Sequence, residues 1–84
     1  MVTFENAELS SYCMGQCVYR MIVLSWLYDV CEAPDNVVEL RPKRVLVSKR
    51  IGDHVVNVVL DLKRRRPEMV TAYITIDDDL VRRN

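Results

Sequence analysis

Glycine is scarce in this sequence, since the 84 residues include only Gly15 and Gly52. Phosphate-binding loops and dinucleotide-binding turns need several glycines close together, because the backbone must approach the phosphate. The serines also lack the flanking glycines of a nucleophile elbow. The composition therefore excludes a P-loop and a dinucleotide-binding motif, and it gives no support to a Ser-His-Asp hydrolase.

Long apolar runs are also missing. The longest spans residues 21–28 with Ser25 inside it, well short of the ~20 residues that a membrane span needs. The N-terminus has no basic region followed by an apolar stretch, so we expect no signal peptide. The cysteine count of three is odd and suits a reducing compartment. We therefore expect a cytoplasmic protein that does not contact membranes.

No Cys-x-x-Cys pair is present to suggest a zinc site. The four potential ligands are Cys13, Cys17, Cys31 and His54, and buried free cysteines commonly act as small hydrophobic residues. The acidic run at 77–79 lacks the alternating ligands and the glycine of an EF-hand loop. We expect no cofactor and assign no residue to a metal site, although a divalent-metal-binding protein stays open as an alternative.

The net charge of zero conceals an uneven distribution of charge along the chain. Residues 1–40 carry six acids and one base, whereas residues 41–66 carry nine bases and two acids. Residues 67–84 carry four acids and two bases. A basic middle segment of this kind is typical of a binding site for a polyanion, and also of a solvated surface.

Residues 44–76 show the period-two alternation of three half-buried strands, at 44–51, 54–62 and 69–76. Turns are predicted at 52–53 and at 63–67, and a shorter strand at 37–41 precedes the three. One face should point to the helices, with Val56, Val58, Leu60 and Leu62, and the other should hold Val55, Asn57, Val59 and Asp61. In the last strand, Val70, Ala72, Ile74 and Ile76 should share one face, and Met69, Thr71, Tyr73 and Thr75 the other.

The N-terminal half predicts two helices, one over residues 5–13 that ends at Gly15 and one over residues 17–32. The sequence thus predicts one α+β domain over 1–84, with two helices packed on one face of a four-stranded antiparallel meander. Apolar residues cover most of the second helix. Either the first helix covers this excess, or the second helix binds a partner or a second copy through Tyr19, Met21, Trp26 and Tyr28.

Residues 26–75 resemble the RelE-like superfamily of small toxins (barnase, EndoU, colicin and RelE type), in particular its BrnT-like and related uncharacterised branches. The matching segments are YDVCEAPDNVVE, RVLVSKRIGDH, VVNVVLDL and VTAY. The resemblance implies a sheet with helices on one face and an RNA-cleaving site on the other. It implies catalytic roles for Tyr73, Thr71 and Arg50, and it implies phosphate binding by Arg44 and Lys49. The basic loop at 63–67 adds Lys63, Arg64 and Arg65 to the residues expected to bind RNA or phosphate.

The sequence departs from this family at Asn6, which stands where related branches usually carry a histidine. Asparagine cannot act as a general base at neutral pH. The main hypothesis is therefore a small cytosolic interaction module of RelE-like fold that is not catalytic. Its partners would be RNA, a protein such as an antitoxin, or a second copy of the chain. A ribonuclease toxin of the same fold is the alternative.

Overall fold

The computed structural model describes residues 3–76, which form an α+β fold of two helices packed on a five-stranded mixed sheet. The strand order in the sheet is β1-β5-β4-β3-β2, in which β2 to β5 form an antiparallel meander and β1 runs parallel to β5. The elements in chain order are β1 (Glu8–Leu9), α1 (Ser11–Arg20), α2 (Leu24–Glu32), β2 (Asn36–Arg41), β3 (Arg44–Ile51), β4 (His54–Asp61) and β5 (Glu68–Ile76).

The predicted α+β class and the four-stranded meander are confirmed, and the hairpin turn at 52–53 is present, with Gly52 at φ 64°. The prediction of a purely antiparallel sheet was wrong, because β1 adds a fifth, parallel strand. The acidic run at 77–79 lies outside the described residues. No helix among residues 3–76 is long and apolar enough to cross a membrane.

The first helix begins later than predicted, so the predicted helix over 5–13 was wrong. Ser10 caps α1, because its Oγ accepts a hydrogen bond from the Cys13 backbone N–H at 3.0 Å. The same hydroxyl donates to the Met69 carbonyl at 2.7 Å and so ties the start of α1 to β5. The preceding residues form a turn at Asn6, with φ 64°, and the short strand β1.

The helix break lies at residues 21–23 rather than at Gly15, which sits inside α1. Met21 adopts the left-handed conformation with φ 59°, and its N–H bonds back to the carbonyls of Cys17 and Val18. The single helix predicted over 17–32 is therefore two separate helices. The apolar spacing continues across the break, so periodicity alone does not reveal it.

A β-bulge in β5 changes the predicted face of one core residue. Met69 lies opposite Leu60 and Thr71 lies opposite Val59, so Val70 is an extra residue without a partner in the register. Met69 is consequently buried in the core and not on the open face, where the strict alternation had placed it. Ala72 and Ile74 keep the predicted helix-facing side, opposite Val58 and Val56.

The core lies between the helices and one face of the sheet. Leu27 and Val30 of α2 are fully buried against the valines of β3 and β4, and the α1 side of the core is formed by cysteines. Burial raises the pKa of Cys13 and of Cys31 to about 12, and it also raises the pKa of Cys17. The predicted helix-facing residues Val56, Val58 and Leu60 are all fully buried.

Candidate nucleic-acid interface

Two turns that are distant in sequence meet at one end of the sheet. The turn between β2 and β3 and the loop between β4 and β5 are joined by a hydrogen bond from the Leu62 N–H to the Lys43 carbonyl at 2.7 Å. In the register, Arg44 lies directly opposite Asp61. This arrangement gathers seven of the nine bases of residues 41–66, and we name these seven the basic end: Arg41, Lys43, Arg44, Lys63, Arg64, Arg65 and Arg66.

Three arginines of the basic end are held by carboxylates. Arg44 Nη2 lies 3.1 Å from Asp61 Oδ2, and the Lys63 backbone N–H donates to the same carboxylate at 2.9 Å. The Lys63 N–H and the Arg44 guanidinium both favour the ionised carboxylate, so they lower the pKa of Asp61. The other two pairs are Arg66 with Glu8 at 2.9 Å and Arg64 with Glu68 at 3.9 Å.

The other four bases of the basic end are Arg41, Lys43, Lys63 and Arg65. All four are exposed, and none forms an ion pair with another residue of the described range 3–76. Four positive charges on two adjacent turns therefore have no carboxylate partner there. Exposed, uncompensated bases on neighbouring turns produce a local positive potential that attracts anions.

The structure separates the residues that were predicted to bind phosphate. Arg44, Lys63, Arg64 and Arg65 belong to the basic end. Lys49 lies on the helix-facing side of β3. Its Nζ donates to the carbonyl of Ala33, the residue that follows the C-terminus of α2, at 2.9 Å. A cation at that position interacts favourably with the helix dipole.

Arg50 lies near the far end of β3, about 20 Å from Arg44 along the strand by the ~3.3 Å rise per residue. Its backbone N–H donates to the Asp35 carboxylate at 2.8 Å, and its Nε donates to the Gly52 carbonyl at 3.1 Å. A depression of about 390 Å³ lies beside it. The lining of this depression includes Asp35, Asn36, Leu46, Ser48, Arg50, Val55 and Asn57.

The centre of the open sheet face is a hydrogen-bonded network around Asn57, which is buried. Its side-chain Nδ2 donates to the carbonyls of Val55 and Tyr73 and to Thr75 Oγ1, at 3.1 to 3.3 Å. Its Oδ1 accepts a hydrogen bond from Ser48 Oγ at 2.8 Å. The amide has no donor left for a ligand, so this network links β3, β4 and β5 and does not form a binding site.

The three predicted catalytic residues do not converge on one point. Tyr73 is half-buried on the open face, directly opposite Asn57. The Thr71 hydroxyl donates to the Gln16 side chain of α1. Arg50 stands on β3, with β4 between it and Tyr73. Asn6, at the position where the resemblance predicts a histidine, is exposed in a turn, and its carbonyl accepts from Arg66 Nε.

The four potential metal ligands named from the sequence do not form a metal-binding group. His54 is exposed at the start of β4, whereas the three cysteines are buried. Within residues 3–76, no three His, Cys, Asp or Glu side chains lie close enough together to hold a metal ion. Burial raises the pKa of all three cysteines and so favours the neutral thiol.

The four residues of the predicted partner interface differ in exposure. Tyr19 and Met21, at the end of α1, are 88% and 87% exposed. Tyr28 is exposed on α2, but Trp26 packs against the core. The sequence predicted that exposed apolar residues would lie on one long helix over 17–32. Most of them lie on α1 instead, which also exposes Tyr12, Met14 and Val18.

Sequence reasoning missed Arg41, Lys43 and Arg66 as members of the basic end. The motif Arg-Pro-Lys-Arg at 41–44 was visible as a turn. Its position beside residues 63–66 follows from the meander register, which a sequence does not fix. Comparison of the chain with family models, with curated proteins and with solved structures finds no match. The resemblance to RelE-like toxins therefore stays a prediction.

Proposed function

We propose that this chain is a small RNA-binding module that contacts the sugar-phosphate backbone through the basic end. The observation that carries the proposal is the group of four exposed bases on two adjoining turns that form no ion pair with any residue of the range 3–76. Lys and Arg side chains that neutralise phosphates supply most of the sequence-independent affinity for nucleic acids. The predicted RNA-binding residues Arg44, Lys63, Arg64 and Arg65 support the same surface.

The ligand is a polymer rather than a single small anion. The four bases extend into solvent from two turns, and none of them lines the depression beside Arg50 or three others on the described surface. Small-molecule sites are concave and bury most of their ligand. A row of flexible, exposed cations instead suits the regularly spaced phosphates of a nucleic acid, with binding that weakens as salt is added.

Fluorescence anisotropy of a labelled single-stranded RNA tests the proposal. With four phosphate contacts, the logarithm of the association constant should fall with log salt at a slope of about −3, between about 50 and 200 mM salt. The double variant Lys63→Gln/Arg65→Gln should bind more weakly, and the magnitude of the slope should drop by about 1 to 2. Neither side chain pairs with a described carboxylate, so the fold should persist.

The matched control is Lys49→Gln/Arg50→Gln, which removes the same charge from β3 outside the basic end. It should keep wild-type affinity if the basic end is the site. Equal weakening by both double variants, or wild-type binding that does not depend on salt, would refute the proposal. The same samples run on a denaturing gel examine the ribonuclease alternative. If the wild type produces RNA fragments and Tyr73→Phe or Arg50→Ala does not, the chain cleaves RNA rather than only binding it.

A further inference from the structure

The exposed side of α1 is unusually apolar for a ten-residue surface helix. Tyr12 and Tyr19 are 67% and 88% exposed, and they flank a groove of about 470 Å³. The groove is lined by Ser11, Tyr12, Gly15, Gln16, Tyr19 and Arg20. A surface helix normally turns polar residues to the solvent. This side of α1 instead resembles the rigid aromatic surfaces that anchor protein interfaces.

Gly15, which lines the groove, has no evident role among the described residues of one chain. It lies inside α1, where glycine destabilises a helix by about 1 kcal/mol relative to alanine. A Cβ at this position would meet no atom within 4 Å, and the residue has no positive φ that would require glycine. A glycine with neither role within the chain is explained if a second backbone approaches closely there.

The groove residues are arranged symmetrically about the midpoint between Gly15 and Gln16. If a second α1 crosses antiparallel with a two-fold axis at this point, each groove residue faces another member of the same set. Ser11 then faces Arg20, Tyr12 faces Tyr19 and Gly15 faces Gln16 of the partner subunit. Such self-complementarity is what a two-fold symmetric interface requires, because the same patch serves both subunits.

We propose that a second copy of this chain occupies the groove, through antiparallel pairing of the two α1 helices. The area is sufficient for a weak dimer. Taking about 200 Å² for a tyrosine side chain, the exposed parts of Tyr12 and Tyr19 supply roughly 300 Å² per subunit. For two subunits the tyrosines thus supply about 600 Å², and the Gln16 and Arg20 side chains add to this towards the ~1,000 Å² of a specific interface.

Arg20 adds a contact that is already fixed in one chain. Its Nη1 donates to the Ala72 carbonyl at 2.6 Å on the outer edge of β5, which orients the guanidinium beside the groove. In the proposed pairing it lies next to Tyr12 of the partner subunit, where an arginine and an aromatic ring attract each other. The proposal is independent of RNA binding, because no groove residue belongs to the basic end.

Analytical ultracentrifugation from low micromolar to near-millimolar concentration tests the pairing. The wild type should shift towards twice its 9.8 kDa monomer mass as concentration rises. Gly15→Gln should stay monomeric, because the new side chain blocks the close approach. It should also unfold at a higher temperature than the wild type, because glutamine is the better helix former. This gain separates a lost interface from a lost fold.

The matched control is Val18→Gln, which removes an exposed apolar side chain from the same helix but outside the groove. It should dimerise like the wild type, whereas Tyr19→Ser should weaken the dimer at least tenfold. A wild type that stays monomeric throughout would overturn the proposal, and the groove would then serve a different partner. Loss of the dimer in Val18→Gln with retention in Gly15→Gln would also overturn it.

Discussion

Replacement of Asn57 by alanine should destabilise the fold far more than its place on the open sheet face suggests. The variant removes the hydrogen bonds of the side-chain amide, in which two Nδ2 hydrogens are shared among three acceptors and Oδ1 accepts a further bond. These bonds connect β4 to both of its neighbours in the sheet. Asn57 is only 6% exposed, so water does not take the place of its amide in the folded protein.

The expected cost follows from the contribution of each bond. Net values of 0.5–1.5 kcal/mol per hydrogen bond give a range of about 1.5–4.5 kcal/mol for the two Nδ2 hydrogens and the bond accepted by Oδ1. Thr75 is exposed and Ser48 is half-buried, so water can bond to their hydroxyls in the variant. We therefore expect a loss of about 2 kcal/mol in the free energy of unfolding. A domain of this length has about 4–13 kcal/mol in total, so the loss is a large fraction.

Urea unfolding, followed by the fluorescence of the single tryptophan, Trp26, measures this loss. Val55→Ala is the matched control, because Val55 shares the strand and face of Asn57 but its side chain forms no hydrogen bond. Shortening this half-buried side chain should cost about 1 kcal/mol or less. If Asn57→Ala costs no more than Val55→Ala, the network does not stabilise the sheet and the reasoning fails.

Two further predictions concern backbone strain and the core thiols. Met21→Gly should raise stability by about 0.5 kcal/mol in thermal unfolding, because it relieves left-handed strain of ~1–2 kcal/mol against an entropy cost of ~0.5–1 kcal/mol. Met21 is 87% exposed and loses little packing, so a destabilised variant would contradict this. Burial raises the pKa of Cys13 and Cys31 to about 12, so their contribution to stability is complete below the unfolded value of ~8.5 and declines as pH rises towards 12. The urea concentration at the unfolding midpoint should therefore fall as pH rises from ~8.5 towards 12, and it should fall less steeply in Cys31→Ala than in the wild type. Equal pH dependence of the midpoint in the two proteins would contradict this prediction.

The strands could be predicted from the sequence because their signal is local. The alternation of apolar and polar residues from Arg44 onwards predicts both ends of β3 correctly. It predicts the ends of β4 and β5 to within one residue. The alternation of apolar and polar residues in β5 does not reveal the bulge at Val70, because the residues on either side of it have the composition of an ordinary strand. That single residue explains why Met69 was assigned to the wrong face.

The helices were harder to predict because their ends depend on tertiary contacts. Gly15 is a reasonable helix stop in isolation, yet Cys13 and Cys17 on either side of it are both buried in the core, and this burial favours one continuous helix. The true break depends on Met21, a residue with no intrinsic preference for the left-handed conformation. Strand β1 is two residues long, too short for a period to appear.

The basic end and the α1 groove occupy defined positions relative to each other. Ser10, at the start of α1, bonds to Met69 near the start of β5, beside the basic end, and Arg20 at the other end of α1 bonds further along β5 at Ala72. An antiparallel pair of α1 helices would therefore direct the two basic ends of a dimer away from each other. RNA affinity and dimer formation consequently report on separate surfaces, and failure of either proposal leaves the other intact.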